Sequence, residues 1–112
     1  MIDSYRFGEI SVEGRNYTSD VIILPDGVIS WWRKQGHNLE PADLDEVISA
    51  RSPEVVVIGI GEQSMMVVPE NTRNWLEDKG ISVVIADTGK ACETYNRICD
   101  SRNVIATLHL TC

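Results

Sequence analysis

From Val55 the chain reads Val-Val-Val-Ile-Gly-Ile-Gly, with no polar residue on either side of the alternation. A strand apolar on both sides must be covered on both faces, as in the interior of a parallel or mixed sheet. Two later runs, Ile81 to Ala86 and Val104 to Leu110, have the same character. The segments between them carry helix signals. Pro69 opens the first with Glu70 in its first turn, it continues through Trp75 and Leu76 to Lys79, and Gly80 closes it in the left-handed position. The second follows Asp87-Thr88-Gly89, with Thr88 expected as N-cap, and turns Ala91, Cys92, Tyr95, Ile98 and Cys99 inward. Between strand and first helix, Gly61-Glu62-Gln63-Ser64 predicts a turn and Met65 to Val68 an extended stretch. The second half therefore reads β-α-β-α-β, with crossovers long enough for parallel neighbours.

The first third alternates more loosely. Phe7, Ile10 and Val12 mark one segment, and Glu13-Gly14-Arg15-Asn16 is a turn signal. Tyr17 to Leu24 is predicted as one strand, Pro25-Asp26-Gly27 as a turn, and Val28 to Arg33 as the returning strand. Trp31 and Trp32, adjacent in that strand, should point to opposite faces, so that one enters the core and the other is a candidate anchor for a partner. After a polar loop at residues 34–38, Pro41 and the acids Asp43, Asp45 and Glu46 start a helix with Leu44, Val47, Ile48 and Ala50 inward, which Ser52-Pro53 stops. The predicted fold is a single α/β domain over residues 1–112. It has three layers, a mixed central sheet flanked by helices and a small antiparallel β layer from the N-terminal third.

Charge narrows the functions. The 17 acids outnumber the 10 bases, giving a net charge of −7. Neither half carries a basic footprint, so nucleic acid is not an expected partner. No apolar run approaches the ~20 residues that span a bilayer, so no membrane association is predicted. Met1 to Arg6 lacks the pattern of a signal peptide, which makes the cytoplasm the expected location. The 3 cysteines, Cys92, Cys99 and Cys112, include no CxxC pair. On one helix Cys92 and Cys99 would lie ~10 Å apart along the axis, too far for a disulfide, and they read as buried thiols.

The motifs with chemical content lie at the carboxyl ends of the apolar strands. Gly59-Ile60-Gly61-Glu62-Gln63-Ser64 begins like a dinucleotide fingerprint, but the third glycine is Ser64 and no helix follows directly, so glycines in a tight turn are the plainer reading. Asp87-Thr88-Gly89-Lys90 lacks the upstream glycine of a Walker loop. Its helix N-terminus and Lys90 favour an anion while Asp87 opposes one. Glu62 and Asp87 each follow a strand end, and on neighbouring strands both carboxylates would face one crevice. They could share a proton or hold a hard cation there, although solvated acids at loop tips explain them as simply. No ligand spacing marks a metal site, and no cofactor is implied. His37 and His109 stand far apart in sequence without a spaced carboxylate or cysteine. His109, inside a strand, reads as packed, and His37, in a loop, stays a functional candidate.

The order Val57-Ile58-Gly59-Ile60-Gly61, then Pro69, then Gly80-Ile81, then Asp87-Thr88-Gly89-Lys90-Ala91-Cys92-Glu93-Thr94-Tyr95-Asn96 resembles a small domain family of unknown function. The segments Trp32-Arg33 and Gly36-His37-Asn38-Leu39 look like it too. The family occurs in archaea and bacteria, and in eukaryotes as an adipogenesis-associated Mth-domain protein and a mitochondrial respiratory complex I assembly factor. The resemblance implies the three-layer fold, no established catalysis, and an interaction or assembly role. It supplies no catalytic residues. Its motif falls on Asp87, Thr88, Gly89, Ala91, Tyr95 and Asn96, with Gly59 and Gly61 expected to face them.

Two functions follow as expectations. One is a protein-interaction or assembly module, bound to another protein or to a second copy, with Trp31, Trp32 and His37 near its surface. The other is a small-molecule or anion site, with or without catalysis, in a crevice formed by Gly59, Gly61, Glu62, Asp87, Thr88, Gly89 and Lys90, with Tyr95 and Asn96 along a wall. The first is preferred, and the chain leans away from being an enzyme.

Overall fold

A computed structural model describes residues 1–31, 33 and 37–112. Three strands near the N-terminus, β1 (Ile2–Arg6), β2 (Glu9–Val12) and β3 (Arg15–Tyr17), form a small antiparallel sheet. Five others, β4 (Val21–Leu24), β5 (Gly27–Ser30), β6 (Val55–Ile60), β7 (Ser82–Ala86) and β8 (Val104–His109), form the main sheet in the order β5-β4-β8-β6-β7. β6 runs parallel to both β7 and β8, whereas β4 pairs antiparallel with β8 and β5. The helices are α1 (Asp45–Arg51), α2 (Glu70–Glu77) and α3 (Thr88–Ile98).

The absence of alternation in β6 and β8 has the predicted cause. Val55, Val57, Val104, Ala106 and Leu108 face Ala91, Cys92 and Tyr95 of α3 together with Ile10 and Val12 of the small sheet. Val56, Ile58 and Ile105 face Leu44, Ile48, Leu76, Trp31 and Met66. Helices α1 and α2 thus cover one face, and α3 with the small sheet covers the other, giving the three-layer α/β arrangement with a mixed central sheet.

The first half departs from its local pattern. The strand expected over residues 17–24 is two strands in different sheets, broken at Thr18-Ser19-Asp20. The cause is tertiary: the Asp20 carboxylate is drawn to partners on β8 and beyond β5, so the chain passes there from one sheet to the other. β5 ends at Ser30, and Trp31, although its N–H still donates to Asp20 O at 3.0 Å, is a core residue. Of the two rings expected to part, Trp31 is the one inside; Trp32 and the loop 34–36 lie outside the described residues. The first helix begins as a single tight turn, Pro41–Asp43, stabilised by a reciprocal cap between Glu40 and Asp43. α1 itself has 7 residues, so its buried stripe shrinks to Leu44 and Ile48, and Ala50 is exposed.

Candidate functional site

The carboxyl ends of β6 and β8 meet the start of α3, and one hydroxyl joins them. Thr88 Oγ1 donates to His109 O at 2.6 Å and accepts from the Gly61 N–H at 2.9 Å, while the Thr88 N–H donates to Gly61 O at 3.1 Å. Thr88 is therefore a buried strut in the first turn; the N-cap is Asp87, whose Oδ1 accepts from the Lys90 N–H at 3.0 Å. The correction has a simple origin, since both residue types cap helices well and only the strand ends decide which one turns inward. The glycines make this closure possible. A Cβ on Gly59 would stand 2.9 Å from Leu108 Cδ2 and 3.0 Å from Thr88 Oγ1. Gly61, at φ +103°, lies against the carbonyl of Cys112. Both glycines admit neighbouring chain at the place where a crevice ligand would sit.

Thr88→Val keeps the shape and deletes the hydroxyl. It leaves the Gly61 N–H and His109 O short of a partner in the interior, and should cost about 2–3 kcal/mol in urea unfolding. Thr88→Ser should retain most of that stability. Equal stability of the Val variant and the wild type would show that the hydroxyl is not a strut.

The other predicted residues fall in different places. Glu62 and Asp87 share one rim: both lie close enough to Tyr5 to act on its phenol, which burial, chiefly, then Glu62, Cys92 and Asp87 push up to about 12. Gly89 and Asn96 line a shallow groove of about 290 Å³ between β1 and α3, with Tyr5, Cys92 and Glu93. Asn96 satisfies backbone there, accepting from the Ile2 N–H and donating to Ile2 O, each at 2.8 Å. Tyr95 faces away, beside Met1, Pro25 and Val104, and burial raises its phenol to about 12. Tyr95 is thus no part of the crevice wall, because it lies one residue before Asn96 and so about 100° around the helix. Lys90 is exposed, and Cys92 is a buried thiol pushed up to about 12 by burial, then Asp87 and Glu93.

A second constellation escaped the sequence reading. Asp20, Arg33 and His109 meet on the α1/α2 face, where His109 Nδ1 lies 2.8 Å and Arg33 Nη2 2.7 Å from Asp20 Oδ2. Asp20 Oδ1 accepts from the Leu110 N–H at 2.8 Å. The Arg33 side chain is only 6% exposed and its guanidinium stacks 4.3 Å above the Trp31 ring. Burial alone would raise the Asp20 carboxyl, but hydrogen bonds from His109, Leu110 and Arg33 outweigh it and hold the group below the ordinary carboxylate value. His37, exposed, sets its ring edge-on to His109 with centroids 5.2 Å apart. The two histidines, unconnected by any spacing, therefore meet. The available signal was thin: Asp20 directly precedes an apolar run, Arg33 directly follows one and His109 lies inside one, and nothing local says that they converge. Among the described residues no group of three metal-ligating side chains comes together.

Residues 2–109, which carry this arrangement apart from the contacts made by Leu110 and Cys112, match the family model described as a protein of unknown function (DUF498/DUF598). The chain belongs to that family. Curated relatives include NADH dehydrogenase [ubiquinone] 1 alpha subcomplex assembly factor 3 of Xenopus tropicalis, 26% identical over 107 residues, covering 94% of this chain and 57% of the relative. The Bos taurus protein of that name is 30% identical over 105 residues, covering 92% of this chain and 56% of the relative. The chain thus spans about half the length of the curated relatives it matches. Among solved structures, the conserved hypothetical protein PH1505 from Pyrococcus horikoshii superposes with a TM-score of 0.85 over 100% of this chain and 99% of its own, at 22% identity, a likeness of fold. No helix among the described residues is long and apolar enough to cross a membrane.

Proposed function

We propose that this chain is a cytoplasmic protein-interaction or assembly module without catalysis of its own, whose partner is another protein or a second copy. The observation that carries the reading is the match of 92% of the chain to a curated assembly factor at 30% identity. The surface agrees with it. Residues 65–67 are pinned by backbone bonds to Cys112, Ile60 and His37. The strip turns Met66 inward and leaves Met65 and Val67 each 55% exposed beside His37. An apolar pair held rigidly outward suits contact with another protein. The three free cysteines suit a reducing compartment.

The test is sedimentation combined with chemical cross-linking, on the wild type and on a Met65→Ser, Val67→Ser double variant. The wild type should form a stoichiometric complex with a partner or with itself. The double variant, changed only at exposed positions, should keep its melting temperature and lose a complex formed through this strip. A chain that remains alone under every condition sinks the reading.

A further inference from the structure

The main sheet ends in β5 on one side and β7 on the other. In β7 the Ser82 N–H donates to Glu54 O at 3.0 Å, with Ser82 aligned to Val55. Parallel pairing bonds alternate residues to the neighbouring strand. Ser82, Val84 and Ala86 therefore turn their backbone groups toward β6, and Val83 and Ile85 present N–H and C=O outward with no partner among the described residues. The side chains of β7 are half-buried from Val83 to Ala86, whereas β6 and β8 are buried. α2 and α3 pack against β7, so its remaining exposure lies along the edge. Gly80 to Ala86 has no charge, and no proline or bulge blocks the strand. Those are the usual protections of an edge, and β7 lacks them.

We propose that β7 seats a homodimer, in which two copies pair antiparallel about a two-fold axis at Val84 and join two five-stranded sheets into one. This rests on the interaction reading above and names its partner as a second copy. The register follows from the geometry. Val83 opposes Ile85 of the second copy and Ile85 opposes its Val83. Both are hydrogen-bonded pairs, so the four free groups on each strand are all consumed. Val84 meets Val84 in the open pair between them.

Charge selects the same strand. Each copy carries −7, so two copies approach best along an uncharged line. In this register the two Asp87 residues fall at opposite ends, about 20 Å apart and beyond the screening length at physiological salt. β5 is a poorer seat: it has 4 residues, of which Gly27, Ile29 and Ser30 are exposed, so an added strand would lack cover on its faces. Four backbone hydrogen bonds and a short strand make a small interface, so a concentration-dependent dimer that tightens with salt is expected.

The experiment measures sedimentation from micromolar to near-millimolar concentration, with amide exchange by NMR at both ends of the range. The sedimenting mass should rise from 12.5 kDa toward twice that value, with Val83 and Ile85 amides gaining protection and Val28 and Ser30 amides gaining none. Val83→Pro removes an outward donor without touching the β6 ladder and should raise the dissociation constant about 10- to 100-fold. Ser82→Glu changes an exposed side chain and sets a carboxylate opposite Ala86 of the second copy, within a screening length of its Asp87; it should weaken pairing while leaving the melting temperature unchanged. A monomer at all concentrations, or a dimer that forms without protecting Val83 and Ile85, overturns the proposal. Either result leaves the wider interaction reading standing if another protein still binds.

Discussion

Asp20→Asn should remove about 3–5 kcal/mol of stability at neutral pH, the cost of taking one partner from a buried ion pair. The amide keeps the shape of the carboxylate but not its charge. Arg33, 6% exposed at the side chain, would then lose the carboxylate charge of Asp20, and the contacts to His109 and the Leu110 N–H would become neutral ones. The sign of the pH dependence follows from the lowered Asp20 value. A carboxyl held below its unfolded value contributes fully above that value, ~3.9, and loses the contribution as pH falls through its folded value. The difference between wild type and variant should therefore narrow in acid, as pH falls below ~4. Urea unfolding across this range checks both statements. Equal stability at neutral pH would mean that the hub is solvated rather than buried.

Gly61→Ala is expected to be the other severe change, costing about 4 kcal/mol or more. Two penalties act together. The backbone at φ +103° disfavours any Cβ, and the new methyl would fall on the carbonyl of Cys112, with His109 Cδ2 at 3.0 Å as a further obstacle. Backbone yields less readily than a side chain. Gly14 separates the two contributions, because it also has a positive φ, of 79°, but a Cβ there meets nothing within 4 Å. Gly14→Ala should cost about 1 kcal/mol, so the difference between the variants reports the closure at Gly61. Calorimetry should show a melting point lower by about 15 °C or more for Gly61→Ala. Similar values for the two variants would remove the argument that this turn is closed by close packing.

The candidate site was legible where adjacent residues define a strand end or a helix start. Gly59, Gly61, Asp87 and Thr88 were placed together because apolar runs mark parallel strands and such strands end on one side. What those residues do there was less visible. The same signals fit an open crevice and a closed joint, and the choice is made by Thr88 and by Cys112 arriving from elsewhere in the chain. Asn96 carried its ambiguity in the same way, and β1 resolved it by taking both ends of the amide.

The hub shows a deeper limit. Nothing in the sequence marks Asp20, Arg33 and His109 as a set, and the gap of 89 positions between Asp20 and His109 carries no period that could link them. Their meeting is a consequence of β4 pairing with β8, a non-local choice. The same choice split the strand expected over residues 17–24 and moved its second half into the main sheet.

The amino-acid pattern alone determined the layered α/β architecture, the doubly covered β6 and β8, and the helix that follows Asp87. Those features follow from burial along contiguous segments, which periodicity records directly. Tertiary structure alone decided the sheet to which each N-terminal strand belongs, the burial of Trp31, the sealing of the strand ends and the convergence of three charged or titratable side chains. Each of these depends on a partner distant in sequence, and its free energy is gained only when that partner arrives.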